Sequence, residues 1–519
     1  MKRTWREGVP GWRLWLLAAI FAGISVLARS FAQAGTAELA TGQKLLSLAL
    51  FAGLWLLLTL LMALLERALV CKASPKRWPA WVCALILAAC WLPYLFVVWP
   101  GTVSNDSITQ LSEIVGAKSM SNGNPVFQTA LLWLCVRFGQ LFSSGDAAIA
   151  LYVCVQAALM AWLLGAAVSR MRALGAPRWL CGGSLALYAL CPVFPVFAFC
   201  VGKDTNFAMA ALWLALAALR FLTEEKPKPA AWVALCLSAA LCALLRNPGV
   251  YLALGVLALL LLVRRGARGA ALAAMGAVAA VWCAVNLLIV PGLSIEPVPE
   301  TENWSVPLQQ AARVSLSEEL TDAQRETLEA VLDTSDLKQK YNGELSDPVK
   351  DRWRADATPE QKSAFWRLWL ELLRQHPATC LSATFHNSFG YLTPGYVSSV
   401  KPTLLLGAQG RTTAIDGAFD FSVNPRAEAL RETFERWLHS PLFALLTAPG
   451  LYAWLILFAF AVCRARKNGL ALCLLPALFV LAGCLFSAVN AYFRYAMPLY
   501  LAAPLCLALC AAAPKEGLR

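Results

Sequence analysis

The stretch from Trp99 to Thr129, WPGTVSNDSITQLSEIVGAKSMSNGNPVFQT, is the first long polar run of the chain and follows three strongly apolar ones near 12–32, 44–66 and 79–99. A helix needs about 20 apolar residues to cross a hydrocarbon core about 30 Å thick, and each of the three is long enough. A polar segment released by such a run stands at a membrane surface, so this reading sets the fold class as an all-α membrane protein. Composition agrees. Of 519 residues, 59% are hydrophobic and 14% charged, too few polar groups to cover a soluble globule of that length.

Further apolar runs near 146–168, 179–200, 207–222, 229–245, 249–263, 269–291, 442–463, 470–488 and 495–512 predict about twelve spans. Backbone groups in lipid must be paired within a segment or around a closed barrel, and runs so long and uniform are helices. Basic residues gather at alternate ends of these runs: Lys2, Arg3 and Arg6, then Arg67, Lys72, Lys76 and Arg77, then Arg170, Arg172 and Arg178, then Arg264, Arg265 and Arg268, then Arg464, Arg466 and Lys467. Positive charge marks the cytoplasmic side, which predicts a plasma-membrane protein with both termini inside and 99–129 outside. The net charge of +13 therefore reports orientation. It does not predict a nucleic-acid partner, because no basic cluster is interleaved with aromatics in a soluble region.

Leu14 to Leu27, followed by Ala32-Gln33-Ala34, also has the pattern of a secretory signal with a small-residue cleavage site; its removal would leave the remaining topology unchanged. Most cysteines fall inside apolar runs as small apolar residues. There is no CxxC spacing, and His376, His386 and His439 are too scattered for zinc; the sequence points to no certain cofactor and leaves a divalent metal open without residues that support one.

The expected organisation is an N-terminal membrane module over 1–293 with a first outer loop at 100–145, an extracytoplasmic insertion over 294–440, and a C-terminal module of three spans over 441–519. The insertion carries about fifteen basic and twenty-one acidic residues, opposite in sign to the basic face. Within it, TDAQRETLEAVLD and PEQKSAFWRLWLELLRQHP repeat apolar residues at i, i+3, i+4 and i+7 behind Thr321 and Thr358, predicting capped amphipathic helices. In the second, Trp366, Trp369, Leu370 and Leu373 form the expected apolar stripe. YLTPGYVSSVKP and GAQGRTTAIDGAF read as turn-rich, and the insertion as a mainly helical lid without a large core of its own. Pro125 to Phe142 carries Gln128, Arg137 and Gln140 and reads as an interfacial helix, since making it a span would invert every later loop.

Four short polar motifs map to the outer ends of spans: SNDSITQ with Asp106, VGKDTN with Lys203 and Asp204, LLRNPG with Arg246 and Asn247, and NAYFRYAMP with Asn490 and Arg494. Charges at membrane depth are costly and mark substrate paths or reactive sites. Each also has a structural reading. Asp106 suits the first turn of a helix over 106–115, Asp204 caps a helix starting at Asn206, and Lys203, Arg246 and Arg494 reach toward headgroups. Together, three cations and two acids on the face where cations are scarce predict an anionic ligand at the membrane surface.

With three spans, an acidic first outer loop, a short amphipathic helix and then many spans, the chain resembles membrane glycosyltransferases of the GT-C superfamily, especially lipid-phosphate-sugar-dependent protein mannosyltransferases and aminoarabinose transferases. It is more closely similar to a bacterial family of polytopic membrane proteins sharing a PGxxSxDSxxQ loop, a later xNxP and a terminal RYxxP. Here these read Pro100 to Gln110, Asn122-Gly123-Asn124-Pro125, and Arg494-Tyr495-Ala496-Met497-Pro498, and the stretch Asn303 to Arg313 looks like that family's start of the outer domain. The resemblance implies a GT-C-like fold and transfer of a sugar from a polyprenyl-phosphate donor to a hydroxyl of a glycan, lipid or protein acceptor on the outer side. By position, Asp106 corresponds to the first-loop acid that acts as base. The chain departs from the mannosyltransferase pattern in having Ser107 where a second acid follows, and Asn124-Pro125-Val126 where that family has His-Pro-Pro.

The chemistry stands beside the resemblance. A sugar hydroxyl becomes a nucleophile when a carboxylate takes its proton, and a phosphate leaves more readily when cations hold its growing charge. Asp106 is the expected base. Lys203, Asp204, Arg246, Asn247, Arg494, Tyr495, Asn124 and Gln110 are the expected donor and phosphate site. The competing readings are a transporter or flippase of an anionic lipid-linked glycan, which would place binding groups at the midplane in repeated halves, and a cell-envelope polymer ligase.

Overall fold

A computed structural model describes residues 11–36, 41–69, 78–224, 226–398, 425–438 and 440–512. Helices α1 (Gly11–Ala34), α2 (Thr41–Leu69) and α3 (Ala80–Val98) lead to strand β1 (Thr102–Val103), then α4 (Asn105–Ile114), α5 (Val126–Gln140), α6 (Gly145–Ala173), α7 (Arg178–Leu190) and α8 (Val193–Ala198). Strand β2 (Cys200–Val201) precedes α9 (Lys203–Thr223), α10 (Pro229–Leu245), α11 (Gly249–Val263) and α12 (Arg268–Cys283), which continues through a π-helical turn at Ala284–Ile289 into α13 (Val290–Gly292).

The inserted domain contains α14 (Ser305–Ser317), α15 (Asp322–Glu329), α16 (Leu337–Lys340), α17 (Asp347–Lys350), α18 (Pro359–Gln375), α19 (Pro377–His386) and α20 (Pro425–Leu438). The chain closes with α21 (Pro441–Thr447), α22 (Pro449–Ala465), α23 (Leu475–Leu485) and α24 (Phe493–Ala511).

The protein is an all-α membrane protein with many apolar helices. Among the described residues seven are long and apolar enough to cross a membrane: α1, α2, α3, α6, α9, α12 with its continuation, and α24. The pair α21 and α22, bent by 59°, adds one more if counted as a single span, while α10, α11 and Gly469–Leu485 are apolar but shorter. Two expected spans are broken, and proline is the reason in each. Pro192 interrupts 179–200 between α7 and α8, and Pro449 separates α21 from α22; proline has no N–H to continue the helical ladder.

Two long helices form the enclosed centre. In α9 and α24, 83% of the apolar window is buried, against 6% for the peripheral α2. The predicted Asp106 helix forms as α4, capped by Ser104, whose hydroxyl accepts from the Ser107 amide at 3.4 Å. Helix α5 buries Leu132 and Val136 and leaves Trp133, Leu134 and Phe138 exposed, with Arg137 5.1 Å over the Trp133 ring. That one-sided apolar strip suits an interfacial helix.

In the inserted domain, Thr321 and Thr358 complete capping boxes at α15 and α18, with Gln324 and Gln361 reaching back. The domain nevertheless has a core of its own, built from Leu308, Leu328, Leu332, Phe365, Leu368 and Leu372. This corrects the expectation of too little apolar sequence. The core is drawn from short segments scattered between Leu308 and Cys380, several of which supply a single apolar residue, such as Leu337, Val349 and Ala357. Its stripe on α18 is Phe365, Leu368 and Leu372, flanked by Trp366 and Leu373, whereas Leu370 is 44% exposed. The segment GAQGRTTAIDGAF lies outside the described residues.

Backbone bonds join this domain to the bundle. The Asn490 amide donates to the Glu344 carbonyl at 2.9 Å and the Ser346 amide to the Ala488 carbonyl at 2.8 Å. Arg313 Nη2 donates to the Gly35 carbonyl at 2.6 Å, just past the last turn of α1, which runs unbroken through Ala32-Gln33-Ala34.

Candidate functional site

A two-residue parallel ribbon sets the site. Thr102 pairs with Cys200 and Val103 with Val201. Two residues further on, both chains turn into helices, α4 at Asn105 and α9 at Lys203. Carrying the register forward places Asp106 beside Asp204, each the second residue of its helix, and Ser107 ties the pair by donating to the Val201 carbonyl at 2.9 Å. Carboxylates are favoured in the first turn by the helix dipole. Asp204 thus stands inside the first turn of α9 rather than capping a helix at Asn206, because the ribbon starts α9 earlier.

The third contributor is the first turn of α24. Arg494 donates through Nε to Asp204 Oδ2 at 2.8 Å, through Nη2 to Asp106 Oδ2 at 2.6 Å, and through Nη1 to the Tyr492 hydroxyl at 3.0 Å. Its fork therefore bridges two acids lying 388 and 290 residues away in sequence. Lys203 Nζ lies 3.0 Å from Asp106 Oδ2 and donates to Asn124 Oδ1 at 2.7 Å. Arg246 Nη1 is 3.5 Å from Asp204 Oδ1. The Arg246 guanidinium rests 4.5 Å from the Tyr495 ring centre and 5.6 Å from that of Phe207, a stacking that fixes its plane.

Lys203 and Arg494 both occupy helix N-termini, where the dipole disfavours a cation. The two carboxylates offset that cost, so the five groups are mutually dependent. Their exposure is graded: the side chain of Asp106 is 32% accessible, those of Arg246, Lys203 and Arg494 are 18, 15 and 12%, and that of Asp204 is 4%. Burial works to raise the Asp106 carboxyl, but Arg494 and then Lys203 outweigh it and hold the group well below the usual carboxylate range.

Of the expected residues, Asp106, Lys203, Asp204, Arg246, Arg494, Tyr495 and Asn124 come together here. Asn247 and Gln110 make no bond to the five charged groups. Asn247 donates to the Asn122 carbonyl at 3.2 Å, and Gln110, fully buried, donates to Thr129 at 2.8 Å. They tie neighbouring elements together, Gln110 joining α4 to α5 and Asn247 joining the turn after α10 to the 118–124 loop. Sequence reasoning passed over Tyr492 and Phe207, although Tyr492 sits in the quoted NAYFRYAMP and Phe207 directly follows VGKDTN; neither aromatic carries a signal until its cation is seen above it. It also passed over Asn286 of the π-helical turn, which accepts from Asn122 at 3.3 Å.

Among the described residues no three His, Cys, Asp or Glu side chains gather as a metal site. A groove of about 320 Å³ lies between α1 and α2, lined by residues that include Val26, Leu27, Lys44 and Phe51; none of the five charged groups lines it. The arrangement can hold an anion against three cations beside a carboxylate whose basicity Arg494 and Lys203 control.

No curated protein and no solved structure matches the chain. The model of a family of unknown function, DUF6020, matches residues 118–517, which takes in Lys203, Asp204, Arg246 and Arg494 and begins after Asp106. The match covers more than half of the chain, and the chain belongs to that family.

Proposed function

We propose that this DUF6020 protein is a membrane glycosyltransferase of GT-C-like, twelve-span architecture. It moves a sugar from a polyprenyl-phosphate donor to the hydroxyl of a glycan, lipid or protein acceptor on the extracytoplasmic side of the plasma membrane. Both termini then lie in the cytoplasm, and the inserted domain covers the outer face. The observation that carries the reading is the Arg494 fork joined to both Asp106 and Asp204, with Lys203 and Arg246 alongside.

The resting pairing suggests how the site works. A carboxylate held by two cations is a weak base, and the most basic state of Asp106 arises when those cations are drawn elsewhere. A donor phosphate supplies the competing charge. Arg246, stacked and holding only a long contact to Asp204, presents its remaining donors to the phosphate, and Lys203 follows. Asp106 then takes the acceptor hydroxyl's proton as the oxygen attacks the anomeric carbon, and the sugar–phosphate bond breaks with its electron pair leaving on the phosphate. Below the site, α9 from Phe207 to Leu222 and α24 from Ala496 to Cys510 are buried and almost wholly apolar. That supports a surface reaction over a polar path for transport.

The test is incubation of purified protein with a panel of radiolabelled polyprenyl-phosphate sugars, reading loss of label from lipid. Asp106→Asn is expected to abolish transfer while thermal unfolding stays cooperative. Retained turnover in that variant rejects the base assignment.

A further inference from the structure

Asp106 is followed on the same face of α4 by Gln110 and Glu113, at i+4 and i+7, so neighbouring Cβ atoms stand about 5–6 Å apart. Neither lower residue reaches solvent: Gln110 is 0% and Glu113 5% exposed. Gln110 spends its amide on Thr129 Oγ1 at 2.8 Å and leaves Oε1 without a partner. Glu113 receives the Ser121 backbone amide and leaves Oε2 without one. Two buried acceptors one turn apart call for a donor, since burying an acceptor without a hydrogen bond is costly. Ordered waters satisfy buried polar groups of this kind.

We propose that a buried water held by Gln110 and Glu113 carries the proton from Asp106 to the Glu113 carboxylate, making Glu113 the proton store of the transfer reaction. This rests on the glycosyltransferase reading. Once Asp106 has taken the acceptor proton and the phosphate has left the site, Lys203 returns and, with Arg494, favours the ionised Asp106 again. The proton leaves the Asp106 oxygen for the water, and the water's own proton bonds to Glu113 Oε2; no electrons are exchanged. The charged groups facing Glu113 are Lys118, Lys203 and Glu296. Burial foremost, with Glu296, pushes its carboxyl up against the Ser121 amide and the two lysines. Asp106 held low and Glu113 held high make the proton's path downhill.

Two readouts test this on the full-length protein. In infrared spectra of detergent-solubilised protein recorded against pH, the carbonyl stretch of a protonated carboxylic acid is expected to appear at a higher pH than for an ordinary glutamate, and to be missing in Glu113→Gln. In the transfer assay, Glu113→Gln is expected to lower kcat by about a hundredfold, at the low end for proton-transfer groups, with donor KM unchanged and the acid limb of the pH profile displaced. Gln110→Leu, which removes the orphan oxygen and keeps Glu113, is expected to reproduce the loss of kcat while keeping the infrared band. A wild-type protein that transfers no sugar overturns the glycosyltransferase reading and the relay with it. A transferring protein whose Glu113→Gln variant keeps its kcat and pH profile, or keeps the infrared band, overturns the relay alone.

Discussion

Replacing Arg494 by Gln removes the cation that holds two acids and keeps a side chain of similar length. The larger consequence falls on Asp204, whose side chain is 4% exposed and accepts two of the guanidinium contacts, at 2.8 and 2.7 Å. Its remaining cation, Arg246, stands at 3.5 Å from the other oxygen, too far for a strong charge-assisted bond. Taking one partner from a buried pair costs about 3–5 kcal/mol, because the other charge is left uncompensated. Asp106 adds little: it keeps Lys203 at 3.0 Å and is 32% exposed, where solvent screens the loss. The expected destabilisation is therefore about 3 kcal/mol at neutral pH.

Most of that cost should disappear when the orphaned charge is also removed, so Asp204→Asn with Arg494→Gln is expected to be about 2 kcal/mol less damaging than the sum of the singles. Acid gives a second signature. The folded Asp106 carboxyl lies below its unfolded value of about 4, so its contribution is present above that pH and is lost as pH falls through the depressed folded value. Without Arg494 the carboxyl is less depressed, and the acid limb becomes shallower. Denaturant unfolding in detergent micelles, followed by tryptophan fluorescence at several pH values, measures both effects. A single variant within about 0.5 kcal/mol of wild type, or strict additivity in the double, refutes the claim that the fork holds the buried acid.

His386 provides a pH test at the junction of α1 and the inserted domain. Arg313 Nη1, always a donor, lies 3.1 Å from His386 Nδ1, so that nitrogen accepts and the ring is neutral; burial first, and then Arg313, lowers its pKa to about 4. An unfolded histidine takes its proton near pH 6.5. Stability of this junction is expected to fall as pH drops from about 6.5 toward about 4, by at most about 3 kcal/mol; hydrogen exchange in 305–317 and 377–386 that ignores pH over this window contradicts it. In the membrane part, Gly249 packs so closely on α10 that a Cβ would stand 1.8 Å from the Cys242 carbonyl oxygen. Gly249→Ala is therefore expected to push α11 off α10 at a cost of about 1–3 kcal/mol, as overpacking does, and a variant with wild-type unfolding shows that the helices yield.

Local chemistry carried a good part of this structure into the primary sequence. Long apolar runs declare membrane helices because lipid leaves a backbone no other partner, and Thr321-to-Gln324 and Thr358-to-Gln361 announce helix starts because a cap needs only four consecutive residues. The four polar motifs likewise stood out against their apolar flanks. Where pairing decides the outcome, the chain order is silent. Phe365, Leu368 and Leu372 became a core only once Leu308 and Leu328 were brought across. The charged cluster is the extreme case: a two-residue ribbon aligns Asp106 with Asp204, and Arg494 reaches both from 388 and 290 residues away. Charge type can be read one residue at a time, but which oxygen meets which nitrogen depends on separations of a few ångströms that only the packed helices establish.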